Sequence, residues 1–190
     1  MKKTFLALLC FLSSLFSYGQ NTFSSKILGS DDIVVFQSVE NNGSYYMAAT
    51  KNILINNPSK AWLYKMTNQG VLADYALIDL GEGNSWSYCV LSHKDTLHII
   101  YAKKENSVAE FYIAKYSSDL EFISRRSCDI SIDGSIIIVE SDHQDQDGFD
   151  LLITCLGCGS YMFKMTWDGE ITFQKAFSIP PTFIMDFCFR

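Results

Sequence analysis

The chain has little proline, little arginine and, after its first twenty residues, no long apolar run. Only three of its 190 residues are proline, while 14% are aromatic. This composition indicates a globular chain and not a disordered one. No stretch after residue 20 is long and apolar enough to span a bilayer, and apolar residues show no helical periodicity there. The absences argue against a transmembrane span and against a helical fold.

Basic residues are scarce as well. Lys and Arg number 15 against 21 Asp and Glu. Without Lys2 and Lys3, which belong to the leader described below, the balance is 13 against 21, a net charge of −8. Nucleic acids and anionic membrane surfaces both attract basic patches, so neither is an expected partner.

Familiar catalytic motifs are also missing. The sequence contains no GxSxG, no HExxH and no glycine-rich phosphate-binding loop. His93 and His98 fall in or beside an expected hairpin, where turn and strand roles are the simpler interpretation. No catalytic constellation is visible, and the chain is not expected to be an enzyme by itself.

The first nineteen residues have the pattern of a signal peptide. Lys2 and Lys3 precede the apolar run 5–16, and the small residues Ser17 and Gly19 precede a cleavage point ahead of Gln20. Export to the periplasm, the outer surface or the medium is therefore predicted, with residues 20–30 as a polar lead-in. Cys10 leaves a lipoprotein leader as the alternative, although the apolar run continues past it.

One short sequence motif occurs three times, as Trp62–Thr67, Tyr112–Ser117 and Tyr161–Thr166, and we call it the lysine phrase. Its lysines, Lys65, Lys115 and Lys164, are 50 and 49 residues apart. Each copy predicts a strand, a tight polar turn and a return strand. A period near 50 on a strand-rich chain is typical of β-propeller blades, so the predicted fold is all-β, with four-stranded blades.

The copies divide residues 31–190 into about three blades and one further strand. The predicted boundaries are 31–82, 83–131 and 132–181, followed by the start of another blade at 182–190. Within each unit the first two strands are apolar and are expected near the axis, whereas the later two carry more charge and suit the outer edge. Propellers close with about four to eight blades. The expectation is that the chain is the N-terminal part of a longer propeller and holds an incomplete set of blades. The alternative is a partial sheet array that closes by oligomerising.

The lysine phrase resembles the blade repeat of exported bacterial β-propeller proteins, which reads roughly aromatic-Leu-x-Lys-Leu-Asp, two residues, then Gly. The turn at Trp167-Asp168-Gly169 is also similar to the Asp-box of sialidase-type propellers, which implies that the carboxylate caps turn amides and has no catalytic role. Sialidase activity itself would need an arginine cluster. The chain after residue 20 has only Arg125, Arg126 and Arg190, so this activity is unsupported.

An acidic segment is the one candidate metal site. Asp145, Asp147 and Asp150 surround Gly148, and such alternating carboxylates can wrap Ca²⁺ while glycine permits the sharp bend. The segment resembles calcium loops of integrin-like propeller blades, but His143 stands where the first ligand is expected and the last acid is displaced. A solvated acidic hairpin turn is the alternative.

The cysteine positions are compatible with a short-range disulfide. Export leads to an oxidising compartment, where disulfides persist. Cys155 and Cys158 form a CxxC pair at a glycine-containing turn, which favours a disulfide across the turn or two plain thiols over redox catalysis. Five cysteines follow residue 20, an odd number: Cys89, Cys128, Cys155, Cys158 and Cys188.

The functional prediction is an exported binding module for a protein or glycan at the cell surface. The alternative is the propeller portion of an exported hydrolase, a peptidase or glycosidase, whose catalytic residues lie outside this chain. Trp62, Trp86 and Trp167 are candidates either for stacking on sugars or for packing between blades. Fold resemblance does not choose between these functions, because propellers host many.

Overall fold

The structure, a computed structural model, describes residues 33–52, 58–79 and 81–177. The predicted leader, the lead-in and the strand at 182–190 lie outside these ranges. Within them the chain forms twelve β-strands and no helix, which confirms the all-β prediction.

The strands form three antiparallel sheets of four strands, each built from consecutive strands. Sheet 1 contains Ile33–Asn41 (β1), Ser44–Lys51 (β2), Lys60–Thr67 (β3) and Leu72–Leu77 (β4). Sheet 2 contains Asn84–His93 (β5), Thr96–Glu105 (β6), Val108–Ser117 (β7) and Phe122–Asp133 (β8). Sheet 3 contains Ser135–Gln144 (β9), Gly148–Leu156 (β10), Gly159–Thr166 (β11) and Ile171–Phe177 (β12).

The hairpins follow local chemistry. Asn42 and Gly43 join β1 to β2 with φ of 50° and 73°, the left-handed values that a two-residue hairpin needs and that Asn-Gly supplies readily. In the β3–β4, β7–β8 and β11–β12 turns, the hydroxyls of Thr67, Ser117 and Thr166 accept backbone N–H groups four residues on, at 3.2, 3.1 and 3.1 Å. The repeated Thr or Ser is therefore a turn residue.

Burial varies systematically across each sheet. The second strands, β2, β6 and β10, are buried along most of their length, whereas the outer strands β4 and β12 are largely exposed. Of the first strands, β5 is mostly buried but β1 alternates between buried or half-buried and exposed positions. β1 is therefore less buried than β5, although the sequence predicts that both lie near the axis. Sheet 2 explains the difference, because it packs against a neighbouring sheet on both of its faces.

Two junctions hold the three sheets together. The first junction, between sheets 1 and 2, buries Leu63 and Ile99 in one apolar cluster. The second, between sheets 2 and 3, buries Ile100 and Leu151 in a larger one. Ile99 and Ile100 are adjacent on β6 and point to opposite faces, as alternation along a strand requires.

The repeat lysines connect successive sheets. Lys65 donates to the Asp119 carboxylate at 3.1 Å and to the Ser118 carbonyl at 2.8 Å, both in the β7–β8 turn. Lys115 donates to the Asp168 carboxylate in the β11–β12 turn. The Asp-box resemblance implied that these carboxylates cap their own turns. Instead they accept from a lysine of the preceding sheet, and the turn hydroxyls bind the turn amides.

Candidate functional site

The first strands of all three sheets carry a β-bulge at corresponding positions. Pairing skips one residue between Val35 and Gln37 in β1 and one between Ser87 and Cys89 in β5. A third shift in β9 lies where Thr154 and Cys155 of β10 meet it. A bulge turns one extra side chain away from the regular alternation, and bulges are common beside functional sites. The extra residues in β1 and β5 are Phe36 and Tyr88.

These residues help to form an aromatic cleft of about 280 Å³. Phe36 meets Tyr88 edge to face, with 5.3 Å between ring centroids, and Tyr88 stacks on Phe111 at 6.1 Å. Phe36 is 42% exposed, whereas Tyr88 is 8% exposed, so an exposed aromatic ring lies beside a buried one. The complete lining is Phe36, Trp86, Tyr88, Lys104, Ala109, Gly134, Ser135 and Ile136.

The chemistry of the cleft is apolar with a few polar groups. Burial raises the pKa of the Tyr88 phenol, and the phenol is neutral at physiological pH. Lys104 contributes an ammonium and Ser135 a hydroxyl. Aromatic faces with one cation and a hydroxyl suit a ligand that has an apolar face and oxygen acceptors.

Gly134 permits the close packing at one side of this cleft. It joins β8 to β9 with a φ of 137°, a conformation that residues with side chains rarely adopt. A Cβ placed there would lie 3.3 Å from the Leu156 carbonyl oxygen. Any larger residue would therefore displace the chain beside Ser135 and Ile136.

The acidic segment is arranged as a hairpin turn. The Asp145 carboxylate accepts backbone N–H groups of Asp147 and Gly148, both at 2.8 Å. Asp147 is exposed, while Asp150 is buried in β10. Within the described ranges, no three His, Cys, Asp or Glu side chains are grouped so that they could hold a metal ion. Calcium binding through Asp145, Asp147 and Asp150 stays a prediction of the sequence.

The structure joins Cys155 and Cys158 by a disulfide across the β10–β11 turn, with 5.5 Å between their Cα atoms. Cys89 and Cys128 are buried free thiols in the second junction. Burial is the main cause that raises the pKa of each to about 12. Both thiols are therefore protonated at neutral pH and poor nucleophiles. Cys188 lies outside the described residues.

The tryptophans have different surroundings. Trp167 is buried in the second junction, stacked on His93 at 4.2 Å between ring centroids and tilted against His98 at 4.9 Å. Trp62 lies on sheet 1 beside Tyr64 and Tyr75. Trp86 is half-buried and lines the aromatic cleft. Of the three, Trp86 is the one positioned to touch a ligand in that cleft.

A buried charge cluster lies at the first junction. Asp79 is 1% exposed, and its Oδ1 accepts from Lys103 at 2.9 Å and from Arg125 at 3.4 Å. Arg125 also donates to the Tyr101 hydroxyl at 3.5 Å. Arg126 pairs with Glu170 at 3.2 Å. The two arginines, which on sequence alone resemble a solvated pair, thus serve different junctions.

Sequence reasoning missed the cleft as a unit, although it singled out Trp86. Its lining comes from five strands and the β8–β9 connection, and Phe36, Trp86 and Ser135 are 50 and 49 residues apart. The bulges that expose Phe36 and place Tyr88 beside it have no marker in the sequence. The aromatic residue at one position of two successive first strands was the available signal.

No family model matches this chain, and no curated protein is significantly similar to it. Among the described residues, none lies in a helix long and apolar enough to cross a membrane.

Proposed function

We propose that the chain is an exported binding module of the β-propeller type that captures a protein or glycan ligand in the aromatic cleft. The observation that carries this proposal is the cleft of Phe36, Trp86 and Tyr88, lined by the bulged first strands. Clefts with apolar and aromatic walls and a few polar groups are typical binding sites. The three four-stranded sheets support a propeller-like array.

Export is the part of the proposal that depends on the leader. The mass of the protein recovered outside the cytoplasm tests it, and cleavage ahead of Gln20 is expected. A mature protein that keeps residues 1–19 would contradict this part, and a lipid-modified Cys10 would replace it with the lipoprotein alternative.

Ligand capture is tested by glycan-array and cell-surface peptide screens on the mature chain, followed by calorimetric titration of any hit. Phe36→Ala should weaken binding at least about tenfold, since truncating an aromatic hot spot at a binding site costs about 2 kcal/mol or more. Trp86→Ala should also weaken it, whereas substitution at Lys104 should matter most for ligands with acidic groups.

Phe173→Ala is the matched control. Phe173 is 45% exposed, close to the 42% of Phe36, but it lies on the outer strand β12. Both variants should fold normally. Equal affinities for the two variants, or the absence of a ligand in both screens, would remove the cleft as the binding site.

A further inference from the structure

The three outer hairpin turns are copies of one element. In Thr67–Gly70, Ser117–Leu120 and Thr166–Gly169, the fourth residue's N–H donates to the first residue's carbonyl at 3.0, 3.0 and 2.9 Å. The second and third turns are each held by the preceding sheet. The Thr67–Gly70 turn instead presents the side chains of Asn68 and Gln69 as exposed groups.

Each of these two turns is contacted by two residues of the preceding sheet that lie opposite each other on neighbouring strands. On sheet 1 they are Tyr46 and Lys65: Tyr46 donates its hydroxyl to the Ser118 carbonyl at 2.8 Å, and Lys65 binds Asp119. We call this pair the first clasp. The second clasp is the corresponding pair on sheet 2, His98 and Lys115, against Trp167 and Asp168.

Sheet 3 has the corresponding pair, Asp150 and Lys164, opposite each other on β10 and β11. Both line a cleft of about 200 Å³. Asp150 is 7% exposed, and neither side chain makes a hydrogen bond or ion pair with another described residue. A carboxylate that is more than nine-tenths buried, unpaired and open to a cleft is poised for a donor.

The chemistry of this third clasp complements the exposed first turn. Tyr46 is a donor aimed at a carbonyl, whereas Asp150 in the equivalent place is an acceptor. The Asn68 amide can donate to Asp150, and the Gln69 side-chain oxygen can accept from Lys164. At the position of Asp119 and Asp168, which bind the clasp lysines in the other two turns, the first turn has the amide of Gln69.

We propose that the Thr67–Gly70 turn of one copy docks against Asp150 and Lys164 of a second copy, so that molecules associate head to tail. Leu152 and Thr154, further along the same face of β10, are already buried. The contact is therefore confined to the end of sheet 3 that carries the cleft. Contacts between unlike surfaces form rings or open chains of copies, depending on the rotation between them.

Sedimentation velocity of the mature chain over a range of concentrations tests the proposal. The expected result is a species of at least twice the chain mass that grows with concentration. Lys164→Glu should weaken association at least about tenfold, as a like-charge contact beside a carboxylate is costly. Gln69→Asp should strengthen association several-fold, because it supplies the lysine with the partner present in both internal turns.

Lys175→Glu is the control, since Lys175 is an exposed lysine on the same sheet and the change in charge is identical. A chain that stays monomeric at every concentration would overturn the proposal. So would an assembly that Lys164→Glu and Gln69→Asp leave unchanged, or one that Lys175→Glu weakens equally. Phe36→Ala should leave association intact, which separates this interface from ligand capture in the aromatic cleft.

Discussion

The two junctions between sheets each have a clasp lysine that binds the next turn, but they differ in what packs behind it. The first junction is joined by hydrogen bonds from backbone N–H groups to buried or half-buried side chains. Thr50 accepts the Ser87 N–H at 3.1 Å, and Ser85 accepts the Ala61 N–H at 3.1 Å. Gln37 accepts the Val90 N–H at 3.2 Å. The second junction is dominated by the larger apolar cluster, which contains Phe111, Phe149 and Trp167 among others.

The difference separates specificity from bulk stability. Buried hydrogen bonds contribute modestly to net stability, but they penalise any shift that leaves them unmade. Apolar burial contributes roughly 25 cal/mol per Å² and tolerates small shifts. The first junction should therefore fix the alignment of sheets 1 and 2, and the second should supply most of the free energy that holds the array together.

The turns show the same contrast. Leu120 has a φ of 62° and is buried in the first junction, so an apolar side chain occupies a conformation that favours glycine. Gly169 holds the equivalent place at the second junction, and a Cβ there would approach the Ile113 side chain to 2.9 Å. Sheet packing thus decides whether this turn position carries a side chain.

The largest expected effect comes from removing core volume at each junction. Leu151 and Leu63 are both 0% exposed, and Leu→Ala at such sites costs about 2–5 kcal/mol. We expect Leu151→Ala to lie at the upper end, because an apolar cavity stays empty. Leu63→Ala should lie at the lower end, since the hydroxyls of Thr50 and Ser85 at the first junction can hold a water in the space.

Urea denaturation followed by fluorescence and by circular dichroism measures both losses. One transition, shifted by each variant, would mean that the sheets unfold together. A Leu63→Ala variant that is less stable than Leu151→Ala would contradict the assignment of bulk stability to the second junction.

Acid should weaken the second junction more than the first. Burial lowers the pKa of His98 to about 4, and the positive charge of Lys115 and the neighbouring His93 lower it further. Asp168 and the hydrogen bond to the Trp167 backbone have the opposite effect but are weaker. The folded state therefore keeps His98 neutral, and the unfolded chain binds a proton near pH 6.5. Stability should fall as pH decreases from about 6.5 towards 4, by up to about 3 kcal/mol from this group.

The first clasp offers the control for this pH dependence. In the first clasp, Tyr46 occupies the position that His98 has in the second, so this clasp contains no imidazole. His98→Tyr should flatten the dependence between pH 6.5 and 4, and Tyr46→His should steepen it. Thermal melts at several pH values measure both changes. Parallel curves for wild type and His98→Tyr would assign the acid sensitivity to other groups.

The buried charge cluster should have an intermediate effect. Asp79→Asn removes the charge that Lys103 and Arg125 share, and breaking a fully buried pair costs about 3–5 kcal/mol. Because the side chains of Lys103 and Arg125 are 26% and 44% exposed, water can compensate in part, and we expect about 1–3 kcal/mol. Asp168→Asn at the second junction is the matched control, and its effect should be smaller. Equal losses would show that burial of Asp79 is unimportant.

The sequence predicted the repeated architecture well and the long-range chemistry poorly. Spacing of the lysine phrase and local turn residues such as Asn42 and Gly43 predicted all-β, four-stranded units, because strands and hairpins depend on near neighbours. The partners of Lys65 and Lys115 lie 54 and 53 residues further on. They could be paired only once the packing of successive sheets was known.

The aromatic cleft and the Asp79 cluster were beyond sequence reasoning for related reasons. In the sequence, Phe36 and Tyr88 look like ordinary apolar residues of short strands. In the folded chain, the bulges leave Phe36 exposed and place Tyr88 beside it. Asp79 follows a short outer strand, where an acid is normally solvated. Its partners, Lys103 and Arg125, come from two strands of the next sheet.

The smallest expected effect is at the clasp lysines, which both junctions have. Lys65→Met and Lys115→Met each remove an ion pair whose acid is exposed, with side-chain exposures of 82% for Asp119 and 77% for Asp168. Exposed pairs are worth about 0–1 kcal/mol and are screened by salt. Lys65→Met should cost slightly more, because Lys65 also donates to the Ser118 carbonyl.

Urea midpoints at low and high salt test this: the Lys115→Met difference should shrink in salt more than that of Lys65→Met. Identical salt dependence in the two variants would mean that the carbonyl contact adds nothing, and that the junctions differ only in what lies behind the clasp.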